Sequence, residues 1–284
     1  MNRNVKDTIF EGLTGISVLL IIFIIVSILA ITIVGGWPNL NWTFLSEFPK
    51  DGMTKGGIFP AIVGTGCLVL GSIIFAFPIG VLSGIYTHEY LHDSWLKRFI
   101  RMMTNNLAGI PSIVFGLFGM ALFVNYLKFG DSIIAGSLTL GLLTLPVVIR
   151  TTEEALKSVD NTLRMGSYAL GATKLQTIYR VVLPIAYPNI ITGLILSIGR
   201  VSGETAPILF TVAAYFLPKL PSSLSDQVMA LPYHLYVLAT SGTNMEQTRP
   251  MAYGTAFVLI AIVLIINTAA SLLRRYLNKK VKMD

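Results

Sequence analysis

The sequence predicts an all-α polytopic membrane protein, a single domain over residues 1–284 with six transmembrane helices. Three observations predict it. Of the 284 residues, 54% are hydrophobic and only 12% charged, whereas a typical soluble domain is about 25% charged. Six stretches approach the roughly 20 apolar residues that a helix needs to cross a hydrocarbon core: 13–34, 62–86, 107–127, 132–149, 190–215 and 252–273. Finally, the connections between them alternate in basic content. With the N-terminus, the second and fourth connections and the C-terminus on one side, that side holds fifteen Lys and Arg and the other five. By the positive-inside rule both termini are cytoplasmic. A disordered chain is excluded by the apolar excess, and the lone cysteine, Cys67, excludes an internal disulfide or a multi-cysteine zinc site.

The net charge of +7 would suit a nucleic-acid partner, but its distribution argues otherwise. Eight acidic residues fall on the cytoplasmic side and five outside, so the cytoplasmic side carries the whole +7 and the exterior none. The excess is a topology signal, and no nucleic-acid partner is expected. The first stretch exceeds the 7–15 apolar residues of a signal peptide and no A-x-A-like site follows it, so it reads as a retained anchor. The third contains Asn106-Leu107-Ala108-Gly109-Ile110-Pro111-Ser112, then Gly116 and Gly119; such residues in membrane helices serve packing and kinking. The external loop 216–251 holds Pro218, Pro221 and Pro232 and reads as irregular with a short helix.

The cytoplasmic loop 150–189 has more structure. Thr151-x-x-Glu154 is a capping-box pattern that predicts a helix start. A short helix is expected over 163–170, ended by Gly171. Thr173-x-x-Gln176 is a second capping box, opening a helix whose Leu175, Ile178, Tyr179 and Val182 recur at helical spacing; Pro184 and Pro188 are expected to stop it before the fifth span. Such a short amphipathic helix either docks in a partner's groove or rests on lipid.

Inside the fifth span, Arg200 and Glu204 stand four apart. A charge near a bilayer centre costs at least ~2.5–3.5 kcal/mol and marks a functional site by default; the alternative is an ion pair that only fixes packing. Arginine's planar fork matches oxyanions. Gly199, Ser202, Gly203 and Ala206 keep the surrounding surface small, and Pro207 should bend the helix.

His88-Glu89-Tyr90-Leu91-His92 fits the H-E-x-x-H pattern of zinc proteases. It lies at the cytoplasmic end of the second span, while His234, the remaining histidine, is predicted on the opposite side; a third ligand would have to be a carboxylate such as Asp93. An intramembrane metalloprotease is therefore the alternative from the class of enzymes, and an ATP-independent channel the alternative from the class of transporters. No G-x-x-x-x-G-K-[S/T] loop or G-x-S-x-G elbow is present, so a transporter driven by ATP must borrow its ATPase.

Leu170-Gly171-Ala172-Thr173-Lys174 followed by Val182-Leu183-Pro184 resembles the EAA loop of ATP-binding-cassette importer permeases, with Met165-Gly166-Ser167 in place of the opening Glu-Ala-Ala. Arg200-x-x-Gly203-Glu204-Thr205-Ala206-Pro207 is similar to the signature of the PstA family of phosphate permeases. Gly56-Gly57-Ile58, Gly64-Thr65, Phe77-Pro78-Ile79-Gly80, Glu89-Tyr90 and the 106–112 segment resemble it too. The resemblance implies the type I ABC importer permease fold with a cytoplasmic coupling helix, in a bacterial cytoplasmic (inner) membrane. It implies that Leu170, Gly171, Ala172, Thr173, Lys174, Leu175, Ile178 and Tyr179 couple to the ATPase, and that Arg200, Glu204 and Thr205 line the phosphate path. The implied partners are a PstC-like sister permease, two PstB-like ATPase subunits that bind ATP and Mg, and an external PstS-like phosphate-binding protein, with membrane lipid around them. No cofactor or metal is expected in this chain. A related permease for molybdate, sulfate or phosphonate is the nearest alternative.

Overall fold

A computed structural model describes residues 3–91, 94–241 and 245–281. The chain forms α1 (Arg3–Gly36), α2 (Trp42–Ser46), a two-stranded antiparallel hairpin of β1 (Pro49–Lys50) and β2 (Lys55–Gly56), α3 (Phe59–Ile85), α4 (Trp95–Ala108), α5 (Ser112–Gly119) and α6 (Ile133–Lys157). It continues as α7 (Asn161–Ala169), α8 (Lys174–Thr177), α9 (Leu183–Gly203), α10 (Ala206–Leu209), α11 (Leu231–Thr240) and α12 (Met245–Val281). Five helical runs are long and apolar enough to cross a membrane, and a bent pair brings the number to six if it is counted as one span.

That bent pair corrects the expected third span. Helices α4 and α5 meet at 100°, so Leu107 and Ala108 belong to an amphipathic helix rather than to the span. The break lies at Gly109-Ile110-Pro111: Pro111 disfavours helical backbone at the residue before it and removes an amide donor. The span proper is α5 with the π-helical segment Met120–Tyr126. Its glycines permit close approach. A side chain at Gly116 would meet the Ala206 carbonyl oxygen, and one at Gly119 the Thr139 side chain.

The fifth span is displaced towards its N-terminal end. Expected over 190–215, the helical run covers Lys174–Gly203. Pro207 explains the early stop, because it offers no amide to the Gly203 carbonyl and its ring would collide with that group. Nor do Pro184 and Pro188 stop the preceding amphipathic helix. Pro184 falls in the first turn of α9, and the π-helical segment Ile178–Val182 joins α8 to it without a break. Thr151 starts no new helix, although the helix of the fourth span does continue past it to Lys157 as expected. It lies inside α6, where its hydroxyl donates to the carbonyls of Val147 and Val148 at 2.8 and 3.1 Å.

Helices α3 and α6 form the centre. Gly80 faces Val148 and Gly84 faces Thr152, where any side chain would collide, so the two axes lie close along the half of α3 nearest Tyr86. Around them are three apolar clusters: Phe44, Ile58, Met229 and Val258 at one end, Leu68, Leu140, Val201 and Ile208 in the middle, and Leu156, Val182 and Ile190 at the other. By contrast α1 is exposed on nearly every side despite Ile, Leu and Phe along its length, as a lipid-facing helix would be. Its end rests on α12, where Trp37 packs edge-on against Phe257 at 6.1 Å.

The loop 216–251 is more ordered than its composition suggests. Carbonyls of Thr211, Asp226 and Leu224 accept the amides of Ser132, Ile133 and Ile134, which satisfies donors that a helix start leaves open. The Thr65 hydroxyl likewise accepts the Leu231 amide at the start of α11, 2.9 Å away. On α11, His234 is 1% exposed and neither ring nitrogen has a partner among the described residues. Burial pushes its pKa down to about 4, so the folded chain holds it neutral at pH 6 while an unfolded chain begins to protonate it near 6.5. Stability should therefore fall as pH drops from about 6.5 towards 4, by on the order of 3 kcal/mol in total. Thermal unfolding of detergent-purified protein across that window checks this, and the isosteric His234→Leu should flatten the dependence.

Candidate functional site

Arg200 occupies the last turn of α9, where a cation complements the helix dipole. Glu204 is not on the helix, as its four-residue spacing had suggested. It is the C-terminal cap, with extended backbone at φ −75 and ψ 126, because the helix has already ended at Gly203. The two side chains still meet, with Arg200 Nε donating to Glu204 Oε1 at 3.3 Å. Arg200 is 37% exposed and Glu204 17%. A pair this open is worth about 0–1 kcal/mol, so it exchanges partners at little cost. Among the described residues the terminal guanidinium nitrogens and the Thr205 hydroxyl have no hydrogen-bond partner.

Glu204 closes a cavity of about 10 Å³ whose walls include Thr65, Leu68 and Val69 of α3 and Leu140 of α6. One side of the pair is thus walled by α3 and α6, while Arg200 reaches outward. The position of Asn267 is a finding that sequence reasoning missed: its amide lies 3.2 Å from where a Gly199 side chain would begin. The available signal was an asparagine inside the apolar stretch 252–273.

The second site is the loop between α6 and α9. Asp160 caps α7 by accepting the Thr162 amide at 2.9 Å, and that hydrogen bond holds its carboxyl below the usual carboxylate range. Gly171 follows with φ +81, as expected for a left-handed cap, and Ala172 N bonds back to Ser167 O at 3.2 Å. No atom would meet a side chain at Gly171. Gly171→Ala should therefore cost only the backbone conformation, about 1–2 kcal/mol, measurable as a lowered unfolding temperature. The second capping box is complete: Thr173 Oγ1 accepts the Gln176 amide and Gln176 Oε1 accepts the Thr173 amide.

The apolar repeat that follows does not form one face. Leu175 and Tyr179 are exposed at 68% and 73%, with Leu170 at 90%, whereas Ile178 and Val182 are buried at 3% and 0%. Ile178 is thus a core residue and not part of an exposed docking face. Ile178, Tyr179 and Val182 all lie in the π segment 178–182, whose wider turn departs from the regular helical spacing. Ser167, standing in the Met165-Gly166-Ser167 departure, bonds the Thr177 hydroxyl at 2.9 Å and fastens α7 to α8.

The H-E-x-x-H segment has other duties. Glu89 accepts from His88 Nδ1 at 3.1 Å and from Arg164 Nη2 at 3.0 Å. Arg164 is 9% exposed and also donates to the carbonyls of Val159 and Leu156. His92 and Asp93 lie outside the described residues. Among the described residues no three His, Cys, Asp or Glu side chains come close enough to hold a metal. The Arg164 anchor was also missed from sequence, where it counted only as one more cytoplasmic charge.

Residues 76–283 match the family model of the binding-protein-dependent transport system inner membrane component. The chain belongs to that family. This permease is 33% identical to the probable ABC transporter permease protein YqgI of Bacillus subtilis, over 99% of each chain. It is 34% identical to the phosphate transport system permease protein PstA 1 of Mycobacterium tuberculosis H37Rv, over 96% of this chain and 89% of that one. Its identity to the probable PstA of Methanocaldococcus jannaschii is 34%, over 93% and 92%. Among solved structures it is similar to a chain of the bacterial alginate ABC transporter, with a TM-score of 0.71 at 13% identity over 96% of each chain. It is also similar to a chain of the MetNI methionine ABC transporter, with a TM-score of 0.58 over 78% of this permease. These likenesses show the fold of the type I ABC importer permeases. The permease is a multi-pass membrane subunit and not an enzyme.

Proposed function

We propose that this permease translocates inorganic phosphate as one subunit of an ATP-driven importer. The observation that carries the choice of cargo is the near full-length likeness to relatives named as phosphate permeases. The geometry supports it, since Arg200 engages Glu204 through Nε alone and keeps its terminal fork for an oxyanion. An ATPase and an external binding protein complete such an importer. The finer assignments are a PstC-like sister permease, two PstB-like ATPase copies holding ATP and Mg, and a PstS-like donor of phosphate, with both termini in the cytoplasm.

ATP binding closes the ATPase dimer and draws in the loop around Gly171 and Lys174. The helical run from Lys174 to Gly203 carries that movement to Arg200, and the two permeases rock open to the exterior. Phosphate then takes the place of Glu204 beside Arg200, with Thr205 available as a further hydrogen-bond donor. Its hold must be loose, because a tightly bound ion would not leave.

The test is ATP-dependent uptake of labelled phosphate by vesicles containing the assembled importer. Competition by unlabelled phosphate, and not by molybdate, sulfate or phosphonate, is expected. Stronger competition by one of these would reassign the cargo, and uptake without ATP or an ATPase would favour a channel.

A further inference from the structure

Two consecutive residues at the end of α3 hold the coupling loop by its two helices. The helical end of α3 widens into the π turn Tyr86–Tyr90, closed by the Leu91 amide on the Tyr86 carbonyl at 3.1 Å. From that turn Glu89, with a side chain 6% exposed, reaches Arg164 on α7 at 3.0 Å. The next residue, Tyr90, places its ring 5.0 Å from the ammonium of Lys174, the first residue of α8. Arg164 in turn is tied to the α6 end through the Leu156 and Val159 carbonyls. The other end of α3 supplies Thr65, Leu68 and Val69 to the wall beside Glu204.

We propose that Glu89 and Tyr90 are positioning residues that make α3 a second transmission route from the coupling loop to the substrate path. The inference rests on the importer reading above and deepens it. The loop moves α9 through the continuous chain, and α3 packs against α6 and α9, but these side-chain contacts are what tie the end of α3 directly to the loop's own helices α7 and α8. With both intact, Glu204 and the wall opposite it move together when the ATPase moves the loop. Without them α3 follows the loop less closely, and ATP is hydrolysed without a fully matching opening of the path.

The experiment uses the full importer in proteoliposomes and reads phosphate transported per ATP hydrolysed, beside basal ATP hydrolysis and complex yield. Glu89→Gln removes a buried charge-assisted bond, so the ratio should fall about tenfold while basal hydrolysis stays unchanged. Tyr90→Leu removes the ring and should lower the ratio by about 2–5-fold, and Tyr90→Phe should restore it. A purely structural staple would reduce complex yield and leave the ratio intact, which overturns the proposal. If Glu89→Gln gives no complex, Tyr90→Leu decides, since it strands no buried charge: an unaltered ratio there overturns the proposal. If the unsubstituted importer moves another anion, the phosphate reading fails separately and the same ratios are read with that anion.

Discussion

Arg200→Ala is expected to cut phosphate uptake by at least roughly 10–100-fold while the importer still assembles and hydrolyses ATP. The side chain is 37% exposed at the end of α9 and its one described partner is Glu204, so its removal leaves no deeply buried group unsatisfied. What is lost is the cation beside the path. Hydrogen bonds to charged groups are worth about 1.5–3 kcal/mol each, so losing one costs roughly 10–100-fold and losing a bidentate pair more. Arg200→Lys keeps the charge but loses the fork, and uptake should remain well below that of the unsubstituted importer. Equal uptake by the lysine variant would show that charge alone suffices; normal uptake by the alanine variant would remove Arg200 from the path.

Leu175→Asp is expected to detach the ATPase without unfolding the permease. Leu175 is 68% exposed beside Tyr179 and Leu170, so its side chain contributes little to this chain's own packing and a surface change there costs within about 0.5 kcal/mol. An apolar anchor in a partner's groove is worth 2 kcal/mol or more, about 30-fold in affinity. A bulky charge at Ala172, the half-buried neighbour of Gly171, should act in the same way. Ile178→Asp is the instructive contrast, since it places a carboxylate in the core at a 3% exposed position and should lower permease stability itself. Co-purification of the ATPase, read beside the unfolding temperature, separates the two. An intact complex with Leu175→Asp would put the docking surface elsewhere.

Local chemistry was legible in the sequence wherever it depended on neighbours along the chain. The Thr173 capping box and the left-handed Gly171 both stand as their residue types dictate, because each is decided within a few residues. The same short-range view misplaced Thr151, whose pattern fits a helix start but whose surroundings are already helical. Helical spacing placed Ile178 with Leu175 and Tyr179, since it assumes about 3.6 residues per turn throughout, whereas Ile178 and Tyr179 lie in a π segment and Ile178 turns into the core. Proline was read in both directions: Pro207 does end a helix, whereas Pro184 sits where the π segment passes into α9 and does not break the run.

By itself, the sequence determined that this is a multi-span helical membrane protein with an intact helix-turn-helix in the loop before its fifth span and one charged pair at that span. Those properties follow from apolar run length, capping residues and the cost of burying charge, all of which act locally. Only the tertiary structure decided that α4 leaves the third span at 100°, that Glu204 caps the helix instead of riding on it, and that Glu89, Tyr90 and Arg164 join α3 to the loop. Glu89 and Arg164 are 75 residues apart. Their meeting depends on how α3 packs against α6, and no pattern within either segment encodes that distance.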